Sequence, residues 1–191
     1  MRELEERIIR DGKVFKGNVL KVDSFLNHQM DVELFVKMAK EFKARFEGCG
    51  VNKILTIEAS GIGIACATAI EFGCPVLFAK KSATSNLGKD VYSAPVFSYT
   101  HNKSYEAMVS KDYLGPEDCV LIIDDFLANG EATSGLISLV EQAGAKLAGV
   151  GIAIEKAFQP GGQKLRSAGV KLESLAMVSE LDEEGGVSFC D

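Results

Sequence analysis

The segment Val120-Leu-Ile-Ile-Asp-Asp-Phe-Leu-Ala-Asn-Gly-Glu-Ala-Thr133 constrains this chain more than any other. Four apolar residues run into two acids, then a short glycine-containing loop, then a helix-forming stretch that begins near Glu131. An unbroken Val/Leu/Ile run reads as a parallel strand covered on both faces, whereas a half-exposed strand alternates. Ending that strand in Asp124-Asp125 sets two carboxylates at the carboxyl edge of a sheet, where open α/β folds bind ligands. The loop then offers backbone N–H groups at a helix N-terminus, which suits an anion. Acids for sugar hydroxyls beside amides for a phosphate point to a ribose 5-phosphate; the plainer alternative is a buried strand followed by a helix-capping acidic turn.

The rest of the chain repeats the strand–helix alternation. Residues 2–10 form an amphipathic helix, and Phe15 to Asp23 a turn and a strand. Asp31 caps a helix over about 32–47, with Leu34, Phe35, Met38, Phe42 and Phe46 on one stripe. Lys53 to Glu58 is a strand, Gly61 to Phe72 a helix, and Pro75 to Ala79 a strand closed by Lys80-Lys81. Ser82 to Asp90 is small and polar and reads as a mobile loop. Val91 to Tyr99 and Ser104 to Val109 make two antiparallel strands joined by Thr100-His-Asn-Lys103. Helix 131–143 ends at Gly144, a strand covers Lys146 to Glu155, a short helix opens at Pro160-Gly-Gly162, and a strand lies near Val170–Val178. The pattern predicts one α/β domain over 1–191, a mainly parallel sheet flanked by helices, with an antiparallel flap over about 82–112.

Composition closes off other classes. A net charge of −6 disfavours wide contact with nucleic acid or an anionic membrane, because phosphate backbones need a basic surface. No apolar run approaches the roughly 18–20 residues of a membrane span. The amino terminus is charged and lacks the apolar stretch of a signal peptide. Five cysteines without Cys-x-x-Cys spacing, and only His28 and His101 beside them, predict reduced thiols in a cytoplasm rather than a zinc site. Cys66, Cys74 and Cys119 lie in apolar segments, as small hydrophobes do.

Three further places carry candidate chemistry. Glu58-Ala-Ser-Gly-Ile62 joins a strand to a helix, and its small residues Ala59, Ser60 and Gly61 let backbone amides approach an anion, or simply make a tight turn. The Lys80-Lys81 doublet is either an anion partner or a solvated pair. Glu155-Lys156 ends the strand after the signature helix, so the Lys156 ammonium projects from the same sheet edge as the carboxylates. An ammonium suits the carbonyl acceptors of an oxypurine and repels an exocyclic amine; the alternative is a surface lysine paired with Glu155. Lys103 and Tyr105 are flap residues that either close over a ligand or do nothing specific, and Phe126 and Phe158 either stack on a base or belong to the core.

The strand–Asp–Asp–loop–helix unit resembles the phosphoribosylpyrophosphate signature of type I phosphoribosyltransferases. The loop departs from the commoner Thr-Gly-x-Thr by Asn129 and Ala132, so two hydroxyl donors are missing and Gly130, the amides, Asn129 or Thr133 must supply the contacts. Ala128-Asn-Gly-Glu-Ala132, with Gly17-Asn-Val-Leu-Lys-Val-Asp23 and Phe25-Leu-Asn-His-Gln29, is similar to the xanthine-specific branch of bacterial purine salvage along nearly the whole chain. The resemblance implies a small hood formed by about 1–30 and the C-terminal segment, and transfer of a phosphoribosyl group to N9 of xanthine. It implies that Ala128, Asn129, Gly130, Glu131 and Ala132 hold the 5′-phosphate, that Ala59, Ser60 and Gly61 hold the diphosphate with Lys81, and that Asp124 and Asp125 take the ribose hydroxyls directly or through Mg²⁺. Leu20, Asn27 and Lys156 are the implied purine contacts, and the Ala59–Ser60 peptide is the implied cis or switching bond. A homodimer and phosphoribosylpyrophosphate-bound Mg²⁺ also follow from the resemblance. Transfer to hypoxanthine, guanine or adenine remains open, as does a non-catalytic phosphoribosylpyrophosphate sensor.

Overall fold

In the computed structural model, residues 1–82, 90–98, 103–182, 184 and 186–190 are described. The chain opens with α1 (Arg2–Asp11), a hairpin of β1 (Lys13–Phe15) and β2 (Val19–Lys21), and a π-type helical turn over Asp23–Asn27. There follow α2 (Val32–Arg45), β3 (Lys53–Ile57), α3 (Gly61–Phe72) and β4 (Val76–Ala79). Next come β5 (Val91–Ser98), β6 (Lys103–Ser110), β7 (Cys119–Leu127), α4 (Glu131–Gln142) and β8 (Lys146–Lys156). The chain closes with α5 (Pro160–Ser167), β9 (Leu172–Asp182) and β10 (Gly186–Phe189).

Six strands form the central sheet in the order β10-β9-β8-β7-β3-β4, parallel throughout except that β10 runs antiparallel to β9 at the edge. The parallel strands are the continuous apolar runs, and their period of two distributes the core. Ile54, Leu121 and Ile123 face one side with Leu34, Phe35, Met38 and Phe42 of α2 and Ile64 of α3. Leu55, Ile57, Val120 and Ile122 face the other with Leu136 and Leu139 of α4, Leu165 of α5 and Ala94, Val96 and Val109 of the β5–β6 hairpin. Both faces are therefore covered, as a parallel sheet requires.

Helix boundaries follow local chemistry. Asp31 caps α2, its carboxylate accepting from Leu34 N at 3.1 Å. α3 ends at Gly73, which takes the left-handed conformation (φ 67°). In α1, Leu4 and Ile8 are fully buried one turn apart, and they join Leu20, Val22, Phe25 and Leu26 in the core that also holds α2 and Val178. The N-terminal segment thus shares the core of the main domain.

The hairpin β5–β6 pairs from Val91↔Ser110 to Ser98↔Lys103 and joins the sheet edge through reciprocal backbone bonds between Lys80 and Met108, each 2.9 Å. The expected turn over Thr100-His-Asn102, and with it His101, lies outside the described residues, as does 83–89 of the expected mobile loop. Three elements differ from expectation. Lys13–Phe15 is a strand because Gly17 and Asn18, both at positive φ, fold it back onto Val19–Lys21. Phe25 and Leu26 wind into a helical turn that buries both side chains. Gly186–Phe189 adds an antiparallel edge strand behind an acidic stretch too short to show periodicity. Cys66, expected in an apolar setting, is exposed on α3, while Cys74 and Cys119 are partly buried.

Candidate active site

Strand order reverses between β3 and β7: from β3 the chain winds outward to β4, and from β7 it winds the other way to β8 and β9. The crevice at the carboxyl ends of these two strands is a topological switch point, where open sheets bind ligands. Three strand–helix turns meet there, after β3, β7 and β8.

The turn after β7 carries the acids. Asp124 is 5 % exposed, and its Oδ1 accepts from the backbone N–H of Asp125 at 3.0 Å. Burial, reinforced by the neighbouring Asp125 carboxylate, holds its carboxyl well above the usual range, against a smaller opposing pull from Lys81. Asp125 is half-buried and its Oδ2 accepts from Asn27 Nδ2 at 3.4 Å, so the N-terminal helical turn delivers Asn27 to the acidic edge. The first turn of α3 lies against Asp124: a methyl group on Gly61 would sit 2.2 Å from Thr56 Oγ1 and 2.9 Å from Asp124 Oδ1. Only glycine allows that approach.

Ala59, Ser60 and Gly61 make the β3–α3 turn, with Ile62 N donating to Ala59 O at 3.2 Å and no side chain capping the helix. The non-proline cis peptide is Glu58–Ala59, one bond before the expected Ala59–Ser60. The strand ladder stops at Ile57, and the Glu58 carboxylate is drawn aside to accept from Lys81 N at 2.6 Å, so the turn starts a residue early. The Lys81 ammonium stands 5.4 Å from the centroid of the Tyr105 ring, and the Tyr105 phenol is pushed up by burial and by Asp124. Lys81 and the flap residue Tyr105 are therefore neighbours, and both are within electrostatic range of Asp124. Among the described residues, Lys103 makes no contact with this site.

The loop Ala128–Ala132 wraps a cavity of about 170 Å³, also lined by Phe126, Leu127, Thr133, Val96, Phe97 and Tyr105. Gly130 adopts φ 87° as the residue before α4, and Ser134 N donates to its carbonyl at 2.8 Å. The amides of Glu131, Ala132 and Thr133 open the helix, with the positive end of its dipole at the cavity.

Lys156 ends β8. Its ammonium donates to Asn18 O at 2.8 Å and lies 5.9 Å from the Phe126 ring centroid, and burial lowers its pKa. It does not pair with Glu155. That carboxylate, 2 % exposed, points away and accepts from Arg166 Nη1 at 2.7 Å, from Arg166 Nη2 at 2.8 Å and from the Ser174 hydroxyl. Leu20 is buried on β2, two residues from the Asn18 carbonyl that holds Lys156. Phe126 borders the cavity, whereas Phe158 is 39 % exposed beside Asn18 and Leu181. His28 is exposed.

Residue reasoning missed Asn18, Thr56, Gly161 and the Glu155–Arg166–Ser174 group. Pro160-Gly-Gly162 held a usable signal, since two glycines inside a helix start, where no turn is needed, mark close backbone approach.

Comparison with known proteins decides the family. The chain is 56 % identical over 191 residues to the xanthine phosphoribosyltransferase of Ruminiclostridium cellulolyticum, covering 100 % of both. It is 56 % identical over 185 residues to xanthine phosphoribosyltransferase 2 of Clostridium botulinum, covering 96 % of this chain and 97 % of that one. The chain belongs to the xanthine phosphoribosyltransferases. The relative from Finegoldia magna stands at 54 % over 184 residues. No family model matches. Among solved structures, the adenine phosphoribosyltransferase of Giardia lamblia in complex with 9-deazaadenine superposes with a TM-score of 0.77 at 23 % identity, over 91 % of this chain and 97 % of that one. The adenine enzyme of Thermoanaerobacter pseudethanolicus gives 0.73 at 22 % identity, over 91 % and 99 %. These likenesses show that the chain shares the fold of these adenine enzymes. Asn129 and Ala132, the departures from the commoner pattern, both line the loop cavity beside Thr133.

Proposed function

We infer that the protein transfers the 5-phosphoribosyl group of phosphoribosylpyrophosphate to N9 of xanthine, giving xanthosine 5′-monophosphate and diphosphate in purine salvage. The observation that carries the reading is the meeting, at one sheet edge, of the Asp124–Asp125 pair, the 128–132 loop and the Lys156 ammonium. The loop amides and the α4 dipole suit the dianionic 5′-phosphate. Asp124 and Asp125 suit the ribose hydroxyls, and Asn27 keeps Asp125 oriented. The amides after Ala59 and the Lys81 ammonium suit the diphosphate.

Departure of diphosphate from the anomeric carbon leaves an oxocarbenium-like ribosyl centre, as in other glycosyl transfers. Positioning and charge stabilisation then carry the reaction, without a protein nucleophile. Purine N9 forms the new bond to the anomeric carbon as the carbon–oxygen bond to diphosphate breaks, and the N9 proton passes to solvent or buffer. Tyr105, brought over the acids by β6, helps keep water from the cationic carbon.

A divalent cation fits the acidic pair, because two adjacent carboxylates with one held toward its protonated form leave uncompensated charge when ionised. Bound with the substrate, Mg²⁺ would be held by Asp124 and Asp125, directly or through water, and would neutralise diphosphate oxygens. Lys156 supports an oxypurine over adenine, since its ammonium would meet carbonyl oxygen in the first and an amine in the second. A homodimer is supported by bare apolar surface: Ile70 on α3 is 79 % exposed and Phe78 on the edge strand β4 is 38 % exposed.

The test is diphosphate release from phosphoribosylpyrophosphate and Mg²⁺ with xanthine, hypoxanthine, guanine and adenine. Release fastest with xanthine is expected. Adenine preferred over xanthine would overturn the base assignment, and no release with any base would leave a sensor.

A further inference from the structure

The amino end of α5 touches the phosphate loop on one side and, on the other, an ion pair whose carboxylate alone is buried. Gly161 N donates to Ala128 O at 3.0 Å, and a methyl group on Gly161 would lie 2.4 Å from that oxygen and 2.8 Å from Gly130 N. Gly130 at φ 87° leaves its own Cβ direction 3.2 Å from Gly161 Cα. Two backbones thus lie in van der Waals contact with no side chain between them. On the other flank, a methyl group on Gly162 would lie 1.9 Å from Glu155 Oε1 and 2.7 Å from Arg166 Nη1. Arg166, in the last turn of α5, grips the buried Glu155 carboxylate with both terminal nitrogens, and Ser174 on β9 adds a third donor.

The carboxylate is desolvated while the guanidinium keeps much of its contact with water, so breaking the pair would leave a buried, unpaired charge on Glu155. The carboxylate is the last buried residue of β8, and it fixes both ends of α5: Arg166 at one end, and through Gly162 the Gly161 backbone at the other.

We propose that Glu155 and Arg166 are positioning residues that brace the 128–132 loop, holding its amides in register for a sugar 5′-phosphate through the Gly161–Ala128 contact. This rests on the assignment of that loop to the 5′-phosphate made above. The brace acts on one subsite. The β3–α3 turn, assigned to diphosphate, has no contact with α5 among those described.

Calorimetry with ribose 5-phosphate and, separately, with diphosphate tests this on the full chain, comparing wild type with E155Q/R166M and with E155Q alone. The neutral double variant leaves no unpaired buried charge, and the isosteric single variant keeps the question answerable if the double variant fails to fold. The Kd for ribose 5-phosphate is expected to rise about tenfold, the equivalent of about one loop hydrogen bond, while that for diphosphate stays within about twofold. Unchanged ribose 5-phosphate affinity in a folded variant would overturn the brace, and equal weakening of both ligands would overturn it too, reducing the pair to a structural role. A wild type that binds ribose 5-phosphate selectively but releases no diphosphate with any purine would sink the proposed reaction and leave the brace standing. A wild type that does not bind ribose 5-phosphate would remove both.

Discussion

At the scale of single residues the acidic pair is set up at the expense of the fold. Asp124 binds its proton more tightly in the folded chain than in the unfolded one, so its contribution is favourable at low pH. That contribution is lost as pH rises from the ordinary carboxylate range toward the raised folded value. Asp124→Asn removes this penalty while keeping the shape. A melting temperature at neutral pH higher by about 2–4 °C is expected, for roughly 1 kcal/mol relieved in a chain of this size, together with a loss of turnover. An unchanged or lower melting temperature in differential scanning calorimetry would contradict the account of Asp124 as a buried, disfavoured anion. Lys156 has the opposite sign. Burial lowers its pKa, so the ammonium is lost at a lower pH than for an ordinary lysine, and the KM for xanthine should climb on the alkaline side from that lowered value. Lys156→Ala should abolish this alkaline rise and increase the KM for xanthine roughly 10- to 100-fold, the equivalent of one charge-assisted hydrogen bond of about 1.5–3 kcal/mol, with the KM for phosphoribosylpyrophosphate little changed. Equal shifts in both constants would take Lys156 out of base recognition.

At the scale of elements, the chain's readable parts are those whose chemistry is local. The continuous run 120–123 ending in Asp124-Asp125, the Asp31 cap and the Gly73 stop each specify their element from a few neighbouring residues, and the parallel sheet follows from their alternation. The site was legible where one strand end supplied it: Asp124, Asp125, the 128–132 loop and Lys156 leave adjacent strands at the same edge. What stayed hidden depends on partners distant in sequence. Glu155 finds Arg166 and Ser174 rather than Lys156 because successive β8 side chains point to opposite faces. Lys156 is anchored by Asn18, 138 positions away, and no periodicity encodes that contact. Gly61 belongs to both categories: its place before a helix reads from sequence, its contact with Thr56 and Asp124 does not. Gly61→Ala should push α3 away from Asp124 and cut kcat by 10-fold or more, by the order of magnitude expected for a misplacement of about 1 Å. Circular dichroism should remain that of the wild type. A G61A protein with full kcat would mean that the close packing of α3 on the acids has no bearing on turnover.

At the scale of the whole molecule, the sheet is covered on both faces, yet apolar side chains are left bare on the helices and edge strand around it. Val32 and Val36 on α2, Ile70 on α3 and Phe78 on β4 are all exposed. At the β4 edge lies a cavity of about 520 Å³ lined by Phe78, Lys80, Tyr113 and Lys53. Scattered exposed apolar residues are ordinary, but α3 follows the 59–61 turn and β4 leads out to Lys81, so this α3–β4 flank is continuous with the segments proposed to bind diphosphate. A second copy of the chain packed there would cover Ile70 and Phe78 and restrain both segments at once, provided it buries about 800 Å² per partner, as stable dimers do. Sedimentation should therefore find a dimer, and Ile70→Asp or Phe78→Asp should shift it to monomer while raising the KM for phosphoribosylpyrophosphate more than that for xanthine. The asymmetry is the informative part, because Lys156 and Asn18 lie across the sheet from this flank, on the β8 side. A wild-type monomer with full activity would refute the dimer outright. Monomeric variants whose two KM values are unmoved would keep the dimer but detach it from the chemistry.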